Sequence, residues 1–242
     1  MNTVHYNAAM SSPSSPARGR PARIDQARTV ATALELLDES GLDALTMRRL
    51  ATALDVQAGA LYRYFATKQD LLTAMAERML AGVAAVPASA PGGDWGEQLT
   101  GLAGALRGAL LSYRDGARVF AGTYATGASV LGFADTVVGV LRGAGFGDEE
   151  AARALLAVAN FTVGHTLEEQ AARQPADGPG APERSADPER LRRAVAEGEF
   201  EQLAAVLPTL TESDFTAHFA FGLHLLVEGL RAVRAAGGPS GG

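Results

Sequence analysis

The residues best suited to specific chemistry lie together between Leu45 and Leu72, in the run LTMRRLATALDVQAGALYRYFATKQDLL. Arg48 and Arg63 each offer a planar fork of donors that matches the exposed edge of guanine, and one bidentate pair of this kind discriminates by about 1–3 kcal/mol. Thr46, Tyr62, Tyr64 and Lys68 add donors suited to phosphate oxygens flanking a groove. Gly59 and Ala60 leave room for backbone to sit close to base edges. This is recognition chemistry rather than catalysis. The chain carries no nucleophile elbow, phosphate loop or HExxH pair, and only His165 with Glu168 or Glu169 hints at a poised acid or base.

Such side chains read DNA only if a short helix holds them at a fixed angle to a second one. The pattern predicts that arrangement. Thr46 caps a helix, with Leu45 and Leu50 placed as a hydrophobic staple. Asp55-Val56 marks a turn, and residues 57–64 form the next helix. Leu50, Leu54, Val56 and Leu61 supply a small core that Leu42, Leu45 and Phe65 can join, while Ala51 and Ala53 allow close helix approach. Upstream, Asp25 caps a helix running to about Ser40, and Gly41 supplies a left-handed stop. Downstream, Thr67 with Asp70 restarts the chain as a helix to about Val86, whose N-terminus adds its dipole to the phosphate-binding set.

Bulk composition permits this reading. The net charge of −6 is uneven, because residues 1–85 hold 9 basic and 8 acidic side chains while the rest hold 12 and 19. Arg18, Arg20, Arg23 and Arg28 give the start a local basic character that can bind phosphates on an acidic molecule. With no Cys there is no disulfide or thiolate metal site, which fits a reducing cytoplasm. Residues 1–23 lack the apolar core of a signal peptide, and no run is apolar enough to span a membrane.

The organisation reads as a disordered basic arm (1–22), a helix-turn-helix domain with its connecting helix (23–86), and a larger helical domain (94–236). Within the last, helices are expected over about 95–112, 116–123, 126–144, 148–171, 189–204 and 211–235. The Pro-, Gly- and charge-rich stretch at about 172–188 reads as a mobile loop. No convincing alternating strand is present, so the fold class is all-α.

Residues 24–85, including the LYRYF segment and the lysine that follows it, resemble the DNA-binding domain of the tetracycline-repressor (TetR) family. Asp94-Trp95, LLSYRDGARVFAGT from Leu110 and NFTVGHTLEEQ from Asn160 resemble the ligand-binding domain of its founding type. Carried over by position, the resemblance implies base contacts from Arg48, Gln57, Ala58, Gly59, Ala60, Arg63 and Tyr64, and phosphate contacts from Thr46, Tyr62 and Lys68. Ala58, Gly59 and Ala60 are smaller than in the tetracycline-responsive type. Arg63 and Tyr64 replace a tryptophan and a histidine, so the operator sequence does not transfer.

The resemblance also implies an effector site. Phe120 stands where that type has a metal-binding histidine, and Ala84, Leu102 and Leu106 stand for a histidine, an asparagine and a phenylalanine. Phe cannot ligate a hard cation, so neither metal nor cofactor is expected. His165 with Glu168 has no third ligand. The expected pocket is largely apolar, lined by Ala84, Leu102, Leu106, Phe120 and Phe161, with Thr123, Tyr124, Thr136, His165 and Glu168 as polar anchors. A hydrophobic, aromatic or polyketide-like molecule suits it. The residues read equally as core filling around a small or vestigial pocket.

The apolar residues of 148–171 and 211–235 exceed what one subunit needs, and in the family such helices pair across a two-fold axis. The expectation is therefore a cytoplasmic homodimer, not an enzyme and not membrane-bound, that represses from a palindromic operator until a small effector releases it. An activator or corepressor-dependent regulator uses the same parts. A small-molecule-binding enzyme and a non-specific architectural DNA protein are the rivals from other classes.

Overall fold

In the computed structural model, which describes residues 25–83, 93–173, 188–212 and 214–236, the side chains expected to start helices do so. Helix α1 (Gln26–Ser40) opens with the Asp25 carboxylate accepting from the Arg28 amide at 2.7 Å. It stops at Gly41, whose φ of +78° turns the chain while its amide donates to the Leu37 carbonyl at 2.8 Å. Helix α2 (Met47–Ala53) begins where the Thr46 hydroxyl accepts from the Arg49 amide at 3.1 Å. Leu45 and Leu50, the expected staple, are fully buried. Asp55, at φ +54°, makes the turn into α3 (Ala58–Leu61). Helix α4 (Lys68–Met79) starts with the reciprocal box, Thr67 accepting from the Asp70 amide and Asp70 from the Thr67 amide. One such cap contributes about 1 kcal/mol.

The remaining helices are α5 (Trp95–Leu111), α6 (Gly116–Ala121), α7 (Ala128–Gly143), α8 (Asp148–Arg173), α9 (Pro188–Glu197), α10 (Glu201–Leu210) and α11 (Phe215–Ala236). Among the described residues there is no strand, and no helix is long and apolar enough to cross a membrane. Leu99, Leu102, Leu106 and Leu110 follow a three-to-four residue spacing, so α5 buries one face. That face packs with Phe133, Val137 and Leu141 of α7 and with Ala151, Ala154 and Val158 of α8, whose small residues let the helices close up.

Several boundaries differ from expectation, among them the start of α11, which lies at Phe215 and not at 211. The recognition segment is helical only over Ala58–Leu61, with Tyr62, Arg63 and Tyr64 in the turn that follows. Helix α4 ends at Met79 instead of continuing to Val86, because Gly82 at φ +88° leaves the helical path. The helix expected over 189–204 is two helices. Phe200 folds back over Gly198, where a Cβ would lie 2.3 Å from the ring, and Glu199 adopts φ +52°. The basic arm (1–22) and nearly all of the expected domain break lie outside the described residues. Of the loop expected over 172–188, Ala172 and Arg173 complete α8 and Pro188 opens α9, the rest lying outside the described residues.

A polar knot ties α5, α6, α8 and α11 together. Gln170, nearly fully buried, accepts from the Ala117 amide at 3.0 Å and donates to the carbonyls of Leu110 and Tyr113. This fixes the α5–α6 turn on α8. Glu169, fully buried, takes a bidentate pair from Arg107 at 2.9 Å and a further bond from Arg173. A buried carboxylate is tolerated only with such partners. His165 sits beside it at 4.0 Å, among the rings of Phe161, Phe215 and Phe219.

Two outcomes follow from this packing. A Cβ at Gly116 would lie 2.2 Å from the Leu110 carbonyl oxygen, so Gly116→Ala should destabilise by about 1–3 kcal/mol in denaturant unfolding. Burial, together with Arg107 on α5 and His218 on α11, pushes the His165 imidazole below its ordinary 6.5, and only Glu169 opposes this. The unfolded chain then binds the proton more readily than the native one, so stability is complete above 6.5 and falls as pH drops below it. Melting temperatures of His165→Phe should fall less steeply below that pH than those of the unaltered protein.

Candidate nucleic-acid interface

Most of the side chains proposed to read DNA are exposed. Thr46, Arg48, Gln57, Gly59, Tyr62, Arg63 and Tyr64 are exposed, and Ala58, Ala60 and Lys68 are half-buried. Tyr62 and Tyr64 keep 52% and 41% of their surface, so neither ring is committed to the core. Beneath them Leu50, Leu54, Leu61 and Phe65 are buried and hold α2 against α3. The Val56 amide donates to the Ala51 carbonyl at 3.0 Å, locking the turn. A Cβ at Gly59 would meet nothing within 4 Å. The fold therefore does not demand glycine there.

This head is bolted to the helical domain at two places. At the first, Gly41 lets the chain pass against Asp115, whose carboxylate accepts from the Leu42 amide at 2.8 Å. Asp115 is itself buried at φ +57°. Around it the Arg114 amide donates to Asp38 at 2.8 Å, and Arg118 makes a two-pronged pair with Asp43. Arg118 holds the Asp43 carboxyl below its usual range, and Asp43 in turn raises the guanidinium.

The second bolt joins α4 to the C-terminal end of α6 and the start of α7. Gln69 donates to the Gly122 carbonyl at 2.7 Å. Glu77 accepts from the amides of Ser129 and Val130. The N-cap residue of α7, Gly127, has no side chain to cap with, and a Cβ there would sit 2.4 Å from the Glu77 carboxyl carbon. The helix in the second domain is thus capped by a carboxylate of the first. Sequence reasoning did not find Glu77, because its partners lie 52 and 53 residues away.

The proposed effector residues are scattered across several environments. Leu102 and Leu106 are fully buried in the helical core, with 2% and 1% exposure, and Phe120 is half-buried beside it. Thr123 and Thr136 donate their hydroxyls to the Phe120 and Gly132 carbonyls. Tyr124 is 99% exposed, and Glu168 also faces solvent. Phe161 stacks on Phe219 at 5.6 Å beside His165, whose carboxylate neighbour is Glu169, not Glu168. Ala84 lies outside the described residues. No group of three or more His, Asp or Glu able to hold a metal stands among the described residues.

Comparison with known proteins agrees with this two-part architecture. Residues 30–75 match the model of bacterial regulatory proteins of the tetR family, and residues 86–234 match the tetracyclin repressor-like C-terminal domain. The chain is 40% identical over 201 residues to the tetracycline repressor protein class A from transposon 1721 of Escherichia coli, spanning 83% of this chain and 88% of that one. A possible TetR family transcriptional regulator from Streptomyces coelicolor A3(2) superposes with a TM-score of 0.79 at 68% identity, covering 87% of this chain and all of that one. BioQ, solved with its double-stranded DNA operator, superposes with a TM-score of 0.62 at 31% identity over 87% of this chain and 99% of its own. A capped helix-turn-helix, an all-helical second domain and matches along nearly the whole described chain make this protein a member of the TetR family of ligand-responsive, DNA-binding transcription regulators.

Proposed function

We propose that this protein acts as a homodimeric repressor whose two heads grip a palindromic operator through Arg48, Arg63 and their neighbours until an effector loosens them. The observation that carries this reading is the Glu77 cap, because it makes the head's connecting helix and the effector domain's α7 parts of one mechanical unit. Movement of α7 on ligand binding cannot leave α4 in place without breaking two helix-terminal hydrogen bonds. An effector shifts the equilibrium only by binding one arrangement more tightly than the other. The half-buried Phe120, Phe161 and Thr123, with the neutral His165, favour a largely apolar molecule over a hydrated metal chelate.

Dimerisation is supported by apolar surface with no partner inside the subunit. Leu156 of α8 and Phe221 and Leu225 of α11 keep 60%, 66% and 56% of their surface. Burying them against a second copy forms a four-helix interface, and a two-fold pair can set two reading heads at the roughly 34–36 Å repeat of successive major grooves. The BioQ–operator structure and the tetracycline repressors support assigning the same DNA-gripping role here.

Selection of bound duplexes from a random pool should return a palindrome. On that sequence Arg63→Ala should cost about 1–3 kcal/mol, roughly five- to 150-fold in anisotropy titrations, with thermal unfolding unchanged. Unchanged operator affinity in that variant would remove Arg63 from the reading set. Leu225→Glu should sediment as a monomer at micromolar concentration and lose the palindrome. A dimer that keeps full affinity would contradict the interface.

A further inference from the structure

A cleft of about 690 Å³ opens between the start of α5, the C-terminal half of α7 and the end of α11. It lies at the opposite end of α7 from Glu77 and meets the proposed effector residues only at Thr136. Its contents are chemically specific. Trp95, the single tryptophan of the chain, is half-buried and makes a T-shaped contact with Phe146, the ring centroids 5.2 Å apart. Arg231 and Arg234 both lie over its ring, at 5.1 and 5.9 Å. The two guanidiniums differ in one respect. Arg231 is neutralised by Asp94 at 2.6 Å and by Glu228, whereas Arg234 has no carboxylate partner among the described residues.

The facing wall, from α7, combines two glycines with the side chains of Thr136, Val140 and Ala144. Gly139 and Gly143 line the cleft from within α7, and a Cβ on either would meet nothing within 4 Å. Glycine in a helix interior costs about 0.5–1 kcal/mol relative to alanine, and no neighbour here requires it. What the missing side chains leave is open space opposite an aromatic ring and a cation that has no carboxylate partner among the described residues. Thr136 donates its hydroxyl to Gly132, and Gln98 donates its amide to Gly93, so each keeps an oxygen that can accept a hydrogen bond.

We propose that this cleft is a binding site for a flat aromatic anion. The ring system lies in the slot between Trp95 and the glycine face of α7, and the acidic group pairs with Arg234. The stacked guanidinium and indole supply the plane, and the charge supplies the selectivity. The site needs neither the operator nor a second subunit, so it stands or falls independently of the repressor reading.

The test uses the full chain, with 1-anilinonaphthalene-8-sulfonate as the anionic probe and N-phenyl-1-naphthylamine as its uncharged counterpart. Excitation of Trp95 reports binding by energy transfer to either probe. The sulfonate should bind with transfer from Trp95, and the neutral probe at least about tenfold more weakly. Arg234→Ala should weaken the sulfonate by about tenfold and leave the neutral probe unchanged. Gly139→Leu and Gly143→Leu place side chains in the open slot and should abolish transfer with either probe, with melting temperature checking the fold. Absence of sulfonate binding, equal affinity for the two probes, or undiminished transfer in folded leucine variants would overturn the proposal. Should the leucine variants unfold, Arg234→Ala decides alone, and an unaltered sulfonate affinity there would overturn it.

Discussion

The first turn of any α-helix carries amides that its own backbone cannot satisfy, and in α7 they are satisfied from another domain. Glu77 reaches across from α4 and accepts from Ser129 and Val130, with Gly127 leaving space for its carboxyl group. This constraint organises much of the rest. It ties the connecting helix of the reading head to the first turn of α7 in the effector domain, and it places that contact where a small axial shift breaks hydrogen bonds outright. A negative charge at the positive end of the α7 dipole adds electrostatic preference to the geometry.

The second junction complements it. Asp115 holds the chain just after α1 through the Leu42 amide, and Arg118 holds Asp43 beside it. Gln170 then fixes the same α5–α6 turn on α8 from the other side. The reading head is therefore connected through hydrogen bonds to α6 and α7 and, by way of Gln170, to α8; α6 carries Phe120, and α8 carries Phe161 and His165, which pack on α11. The head's own core, Leu50, Leu61 and Phe65, is fully buried. Its placement is more readily altered than its internal shape, as a regulator with one reading surface and two affinities requires.

What was legible in the sequence was what is local. Asp25, Thr46 and the Thr67–Asp70 box act within three residues of themselves, so type and spacing identified them. The staple of Leu45 and Leu50 and the exposure of Arg48 and Arg63 followed from the same short-range logic. The resemblance to the TetR family carried the two-domain architecture, and the matched family models agree with it. Glu168, expected as a polar anchor of the effector pocket, faces solvent, and its neighbour Glu169 is the buried carboxylate. Glu168 and Glu169 differ by about 100° around α8, and only the position of Arg107 on α5 decides which is inside. Glu77 and Asp115 gave no local signal, because their partners are distant in sequence. Phe200 folding onto Gly198, which splits α9 from α10, is a tertiary preference that helical periodicity does not register.

The central claim is that operator grip and the start of α7 are mechanically joined through Glu77, and amide exchange at Ser129 and Val130 tests it most directly. These amides have no intrahelical acceptor, so their protection reports the Glu77 contact itself. Hydrogen exchange measured on free and operator-bound protein should show both amides slowed on binding, and Glu77→Ala should abolish the difference. Equal exchange in the free and bound states, or protection that survives Glu77→Ala, would contradict the account.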